Sequence, residues 1–146
     1  MLWFLMTNAE DDTSYKTMTL LSSKHFGSPL LDKEGKGGGK LMLNSVFHME
    51  LPSRYGRDAL CVNIAAPAAS GTIYCLLNMH LNSLNSHFWH ALQMLALALL
   101  LHEPRCRGGI IAGNFNAILP KDHRLINEHG LLNAWVVLHG SMGLKD

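Results

Sequence analysis

Two short polar stretches carry the residues whose types and spacing could do chemistry. Asn114 and Asn116 follow a β-branched apolar run and a glycine, and Asn78, His80 and Ser83 surround the end of another apolar run. Catalytic groups of α/β proteins often project from strand ends, so the two stretches predict one polar site. The amide of Asn114 is neutral and cannot take up a proton as a carboxylate can.

These residues also have plainer interpretations. His80 alone is better explained by a hydrogen-bonded histidine at a strand end, and only the neighbouring Asn78 and Ser83 make a catalytic role equally plausible. Asn116 could simply cap its turn. If the functional interpretation holds, the strands over residues 72–79 and 109–113 should lie in one sheet or end on the same edge. His80, Ser83 and Asn116 should then open on one concave surface.

The elements that must position these side chains follow from the apolar pattern. Strands are predicted over 18–21, 41–51, 59–66 and 72–79, and the last two should pair antiparallel because their link is short. Ser86 is a suitable N-cap for a helix over 86–101 that is apolar nearly all round. Such a helix is normally covered by a further layer, so apolar faces should be left uncovered if strands of the fold are lacking. Residues 25–31 and 120–130 are predicted as turn and polar connection, and 131–139 as a short helix packing Trp135 inward.

The order of strands, helix, strand and short helix lacks strict βαβ alternation. It predicts an α/β fold with mixed or antiparallel sheets and helices outside. The 146 residues are enough for one domain.

Composition excludes several classes of function. Hydrophobic residues make up 48% of the chain and the net charge is +1, so no strong field indicates a nucleic-acid or membrane partner. The apolar N-terminus is too short for a signal peptide, and the run over 91–101 is below the ~20 residues of a membrane span. The odd number of cysteines, Cys61, Cys75 and Cys106, favours a reducing compartment and buried thiols. We therefore expect a soluble intracellular protein.

Two tempting site patterns fail. The glycine-rich segment 32–40 lacks the first glycine and the Ser or Thr of a phosphate-binding loop, which favours a solvated loop. His87 and His90 have helical i,i+3 spacing, but no third ligand follows with a recognisable metal-binding spacing. The sequence thus predicts no metal ligands.

Several segments together resemble the endonuclease/exonuclease/phosphatase superfamily, in family order. The segment 78–83 is similar to the NTHLxS strand end of the family, and 108–116 is similar to its GGIxAGDFN strand. Gln93 matches the glutamine of the family's RxxQ element, in which His90 takes the place of the arginine. The segment 130–135 is similar to GLxDAW, and segments 18–22 and 56–60 resemble the fungal, tyrosyl-DNA-phosphodiesterase-like branch.

The resemblance implies part of a four-layer α/β/β/α sandwich that hydrolyses phosphate esters, nucleic acids among them, with Mg²⁺ or Mn²⁺. It implies catalytic roles for Asn114, Asn116 and His80, and substrate binding by Ser83 and Asn78. In the family, the position of Asn114 is an aspartate that orients or deprotonates the attacking water. The asparagine two residues later aligns water and phosphate.

The departures from the family predict a single incomplete, degenerate domain over residues 1–146. No counterpart of the metal-binding glutamate is found before residue 18, and the C-terminal histidine motif would lie beyond Asp146. With Asn114 as the third departure, metal binding by this chain is doubtful and catalysis is expected to be impaired. Uncovered apolar surface should favour self-association. The alternative is a non-catalytic relative or a truncated fragment with at most weak phosphate or nucleic-acid binding.

Overall fold

The computed structural model describes residues 3–6, 17–28, 39–66, 71–83, 87–118 and 120–140. Within them the strands are β1 (Trp3–Met6), β2 (Thr19–Ser22), β3 (Phe26–Gly27), β4 (Leu41–Glu50), β5 (Asp58–Ala65), β6 (Ile73–His80) and β7 (Cys106–Asn114). The helices are α1 (His87–Leu101), α2 (Arg124–Glu128) and α3 (Ala134–His139). The predicted N-cap Ser86, the glycine-rich segment up to residue 38 and both chain ends lie outside the described residues.

A mixed five-stranded sheet forms the centre of the described structure, in the order β3-β4-β5-β6-β7. β5 pairs antiparallel with β4 and β6, as expected for strands joined by short links. β7 pairs in parallel with β6, after the crossover through α1. The predicted α/β class with a mixed sheet is confirmed.

The two faces of this sheet are buried against different layers. Cys61 and Leu77 face α1, where they share a core cluster with Met94 and Leu97. Alternate residues point to the other face, where Val62 is clustered with residues that include Leu21 of β2. Since β2 pairs with β1 in a separate two-stranded sheet, three layers follow one another: helix, sheet and sheet. The fourth layer of the expected sandwich stays a prediction.

Three predictions of local structure are wrong. Trp135 is 57% exposed instead of buried. The apolar surface of α1, by contrast, is left uncovered as expected, with Phe88 66% and Leu99 61% exposed. Hydrophobicity marks a side chain that could be buried, but the partner layer must also be present. Within the predicted turn 25–31 lies β3, and within the polar connection 120–130 lies α2, which buries Leu125. None of the described helices has the length and apolar character that crossing a membrane needs.

A core substitution tests the packing of α1. Leu97 lies on the face of α1 that packs against the sheet and is fully buried, whereas Leu99, two residues later, is 61% exposed. Leu97→Ala should lower the free energy of unfolding by about 2–5 kcal/mol, because it removes buried methyl groups and leaves a cavity. Leu99→Ala should change it by less than about 0.5 kcal/mol. Urea denaturation of both variants measures the difference, and equal effects would contradict this packing of α1.

The exposed edge strand tests the expected self-association. In the described residues β7 has a neighbour on one side only, and Ile110 at its middle is 62% exposed. A long apolar edge strand can pair with another chain, and a charge on it disfavours that pairing. Ile110→Lys should therefore shift the protein towards monomer in sedimentation velocity, whereas Ile118→Lys, at a site 64% exposed outside β7, should shift it less. A monodisperse monomer that binds no hydrophobic dye would contradict the expectation.

Candidate phosphate-binding site

The predicted convergence of two strand ends is confirmed. β6 and β7 run parallel and pair residue by residue up to His80 and Asn114, so their carboxyl ends meet at one edge. The pairing continues one step further, since Leu81 N–H donates to the Asn114 carbonyl over 2.9 Å. The side chains of His80 and Asn114 contact each other, with 3.4 Å between His80 Nε2 and Asn114 Nδ2.

The turn after β7 holds Asn114 and Asn116 in fixed orientations. The backbone N–H of Asn116 donates to Asn114 Oδ1 over 2.9 Å, and Asn116 Nδ2 donates to the Leu81 carbonyl over 2.8 Å. Asn116 has φ 46°, a left-handed conformation that asparagine tolerates. Gly113 has φ 132°, and a Cβ there would lie 1.9 Å from the Met79 carbonyl oxygen, so no other residue fits. Asn116 thus caps the turn, and its catalytic role stays a prediction.

His80 lies between two hydrogen-bond donors. Its Nδ1 is 3.4 Å from an Nη1 of Arg57, and its Nε2 is 3.4 Å from the Asn114 amide nitrogen. A guanidinium can only donate, so Nδ1 must accept and the proton of neutral His80 must lie on Nε2. Asn114 Oδ1 is already engaged by Asn116, which turns the NH₂ group towards His80. The N–H groups of His80 Nε2 and Asn114 Nδ2 therefore lie side by side, an arrangement that suits an acceptor that contacts both.

Arg57 is the residue of this site that the sequence pattern did not identify. Its segment belonged to the family resemblance, but nothing in the spacing linked it to His80, 23 positions later. Arg57 is only 6% exposed, and it precedes β5, the strand next to β6. Burial, and secondarily the charge of Arg57, lower the pKa of His80 below its ordinary value of 6.5. His80 is thus neutral at pH 7, able to donate but carrying no charge.

Asn78 contributes to the packing between sheets. Its Nδ2 donates to the Met18 carbonyl over 2.7 Å and lies 3.2 Å from Thr19 Oγ1, so it joins β6 to the two-stranded sheet. Substrate binding by Asn78 stays a prediction.

The loop that carries Ser83 is fastened to α1. Buried Gln93 accepts from Asn82 N–H over 3.1 Å and donates to the Pro52 carbonyl over 3.0 Å. His90 Nε2 donates to the Asn82 carbonyl over 2.6 Å. Ser83 is half-buried on this loop, three residues beyond β6. The residues of the RxxQ-like element thus fix the loop, and binding of substrate by Ser83 stays a prediction.

A second polar cluster lies beside α1. Asp122 Oδ1 is 2.8 Å from His87 Nδ1 and 3.4 Å from His90 Nδ1. Sequence spacing gave no signal for Asp122, which reaches the histidines from the turn before α2. In the part of the chain that the structure describes, no three His, Cys, Asp or Glu side chains could hold a metal ion together.

The large apolar cleft of the structure is separate from the polar site. It has a volume of about 670 Å³ and lies among α1, β7, α2 and α3, with Ile110, Leu131 and Trp135 in its lining. His80, Ser83 and Asn116 are absent from that lining, so the cleft is not the shared concave surface expected for them.

Comparison with known proteins identifies the fold. No family model matches the sequence, and no curated protein matches it significantly. Among solved structures, the chain is similar to D. rerio TDP2 humanized by 14 mutations, with a TM-score of 0.63 and 17% identity. It is also similar to the human Nocturnin catalytic domain with a bound sulfate anion, with a TM-score of 0.51 and 18% identity. The chain has an endonuclease/exonuclease/phosphatase-like fold.

The similarity extends over most of this chain and less of its structural relatives. It covers 94% of this chain and 50% of the TDP2 chain, and 71% of this chain and 42% of the Nocturnin chain. The chain therefore spans about half the length of these solved structures. At these identities the similarity shows the fold alone, and assignment to the fungal branch stays a prediction.

The lowered pKa of His80 can be measured directly. An NMR titration of the His80 ring should have its midpoint below 6.5. Arg57→Gln should raise the midpoint only part of the way, because burial is the larger cause and remains. Since the unfolded chain then binds the proton more readily, the contribution of His80 to stability should fall as the pH falls below 6.5. A midpoint at or above 6.5 in the unmodified protein would contradict the proposed surroundings of His80.

Proposed function

We propose that this chain is a phosphodiesterase- or nuclease-like domain that binds a phosphate group through its own residues but does not complete a metal-dependent hydrolytic site. The observation that carries the proposal is the cluster of Arg57, His80 and Asn114 at the ends of β5, β6 and β7. The buried guanidinium supplies the positive charge, and the neighbouring Nε2–H and amide N–H supply the directed donors.

An oxyanion fits this cluster better than other ligands. A phosphate oxygen placed beside both His80 Nε2–H and the Asn114 NH₂ group could accept a hydrogen bond from each. The bound sulfate of the Nocturnin domain supports binding of an oxyanion in this fold. Phosphate esters, nucleic acids included, are therefore the substrate class that we propose. Ser83 and Asn78 are proposed as further contacts of the substrate.

The described residues of the site do not fit Mg²⁺ or Mn²⁺, the metals that the family resemblance implies. Hard cations bind carboxylate and carbonyl oxygens, whereas a guanidinium, a neutral imidazole and an amide NH₂ group face this site. Asp58 follows Arg57 directly, but its carboxylate binds His48 Nδ1 and Thr17 Oγ1. No step of a metal-dependent reaction is therefore assigned to these residues.

The same residues also lack a general base. An aspartate at position 114 would accept a hydrogen bond from His80 Nε2–H and could orient or deprotonate an attacking water, whereas the Asn114 amide can only hydrogen-bond. The family resemblance assigns catalytic roles to Asn114, Asn116 and His80, and in this chain we instead propose that His80 and Asn114 hold phosphate while Asn116 positions Asn114. Impaired catalysis is the consequence.

A fluorogenic phosphodiester assay tests the catalytic part of the proposal. The unmodified chain should show no turnover with Mg²⁺ or Mn²⁺ that EDTA abolishes. Loss of a positioned base typically costs about 10²–10⁴-fold. Asn114→Asp alone should nevertheless not restore turnover, because the described residues of the site also offer no set of metal ligands. EDTA-sensitive turnover by the unmodified chain would show that other residues hold a metal, and rescue by Asn114→Asp would show that Asn114 was the only defect.

Binding is measured separately from turnover. Inorganic phosphate should shift the NMR signals of the His80 ring and the Asn114 side chain in the unmodified chain. Arg57→Gln should weaken this binding, because it removes the only charge assigned to the site, whereas Arg105→Gln, at an exposed salt bridge with Glu103, should leave it unchanged. Equal binding by both variants would refute the proposed site.

A further inference from the structure

The thiols of Cys75 and Cys106 meet on β6 and β7, away from the strand ends that carry His80 and Asn114. Their sulfur atoms are 3.3 Å apart, on the neighbouring strands β6 and β7. The register shifts between Ile73 and Tyr74, and the residue paired with Cys75 is Gly109, which has no side chain. A Cβ at Gly109 would lie 2.4 Å from the Cys75 carbonyl oxygen and 2.5 Å from Leu101 Cδ2. Cys106 pairs with Ile73, two positions before Cys75, so its side chain reaches the Cys75 sulfur diagonally across the strands.

The contact between the two sulfurs singles out Cys75 and Cys106 for a bond. Cys61 is a diagonal neighbour of Cys75 on the adjacent strand β5. A disulfide has a sulfur separation of about 2.05 Å, so side-chain rotation must bring the two atoms about 1.3 Å closer. Cys106 pairs with Ile73 and Cys75 with Gly109, so the two cysteines are diagonal neighbours, for which the separation is about 7–8 Å. Closing the bond therefore also requires the two strands to shift slightly towards each other. Cys61 lies on β5, two strands away from β7, and is fully buried.

The two thiols differ in access, which sets the order of their reactions. Cys75 is 4% exposed, and the crevice beside it, next to Glu103, has a volume of about 10 Å³, room for no more than a water molecule. Burial, with the nearby Cys106 thiol, raises the pKa of Cys75 to about 12. Cys106 is only half-buried. A small oxidant in solution therefore meets Cys106 first.

We propose that Cys75 and Cys106 are an oxidisable pair that a low-molecular-weight disulfide, such as glutathione disulfide, converts into a disulfide bond locking β6 to β7. The Cys106 thiolate attacks one sulfur of the oxidant, forms a mixed disulfide and releases one thiolate. Cys75 then loses its proton to water and attacks the Cys106 sulfur, which releases the second. Two protein thiols are oxidised and one small disulfide is reduced to two thiols.

The lock would act on the strands that carry the polar site. The bond would close a loop of 31 positions that contains α1 and the Ser83 loop, and it would hold β6 and β7 in their parallel register. Crosslinks of this kind stabilise mainly by restricting the unfolded chain. In a reducing compartment such a bond is transient, so the pair would respond to oxidation and not serve as a permanent crosslink.

Thiol counting on the whole chain tests the proposal. The folded protein is incubated with glutathione disulfide, denatured without reductant and alkylated. Two of its three thiols should no longer be alkylated. Before alkylation, the oxidised protein should be lighter than the reduced protein by the mass of two hydrogens. Treatment with dithiothreitol should make all three thiols available again. The oxidised form should unfold at a higher temperature than the reduced form. Three alkylated thiols, or a glutathione adduct that persists on Cys106 of the unmodified chain, would overturn the proposal.

Matched single variants identify the pair. Cys61→Ala should still close the bond and leave no thiol, whereas Cys75→Ala should stop at a glutathione adduct on Cys106. Cys106→Ala should leave both remaining thiols free, because neither is open to the oxidant. Far-ultraviolet circular dichroism before oxidation checks that each variant is folded. Loss of two thiols in Cys75→Ala would assign the bond to Cys61 and overturn the proposal.

Discussion

The parallel pairing of β6 with β7 is the constraint on which the other features depend. Parallel strands end at the same edge of a sheet, so the pairing brings His80 and Asn114 together although 34 positions separate them. The close approach at Gly113, where the two backbones leave no room for a Cβ, maintains this register. The crossover between the strands must pass over one face, which places α1 on that face and leaves the other to β2.

Much of this arrangement is predictable from the sequence. Alternating apolar residues marked β5 and β6, and glycine-bounded β-branched residues marked β7, because each strand buries side chains in a regular pattern. Arg57 and Asp122 were not predictable as partners of His80 and His87, since such contacts depend on how elements pack and not on their spacing along the chain. The prediction that Trp135 packs inward was wrong for a related reason, because apolar character does not tell whether a covering layer is present.

The polar loop near the site has its hydrogen bonds formed and buried, whereas part of the apolar surface remains exposed to solvent. Gln93 and His90 fasten the Ser83 loop with hydrogen bonds that are nearly all buried, so this loop should be rigid. The apolar side chains of α1 and β7 are, by contrast, exposed beside a cleft of about 670 Å³. This face is therefore the part of the described structure that leaves the most apolar area unburied.

One atom at position 114 decides between two kinds of chemistry. A carboxylate oxygen there would accept a hydrogen bond from His80 Nε2–H. It could also bind a metal ion or act as a base towards a water molecule. It would also repel a phosphate oxygen at the same place. The amide nitrogen of Asn114 reverses both effects, because it adds a donor to a site that already contains Arg57 and the Nε2–H of His80. In the proposed site the amide at position 114 thus favours holding an anion, whereas hydrolysis would require metal ligands in addition to a carboxylate at this position.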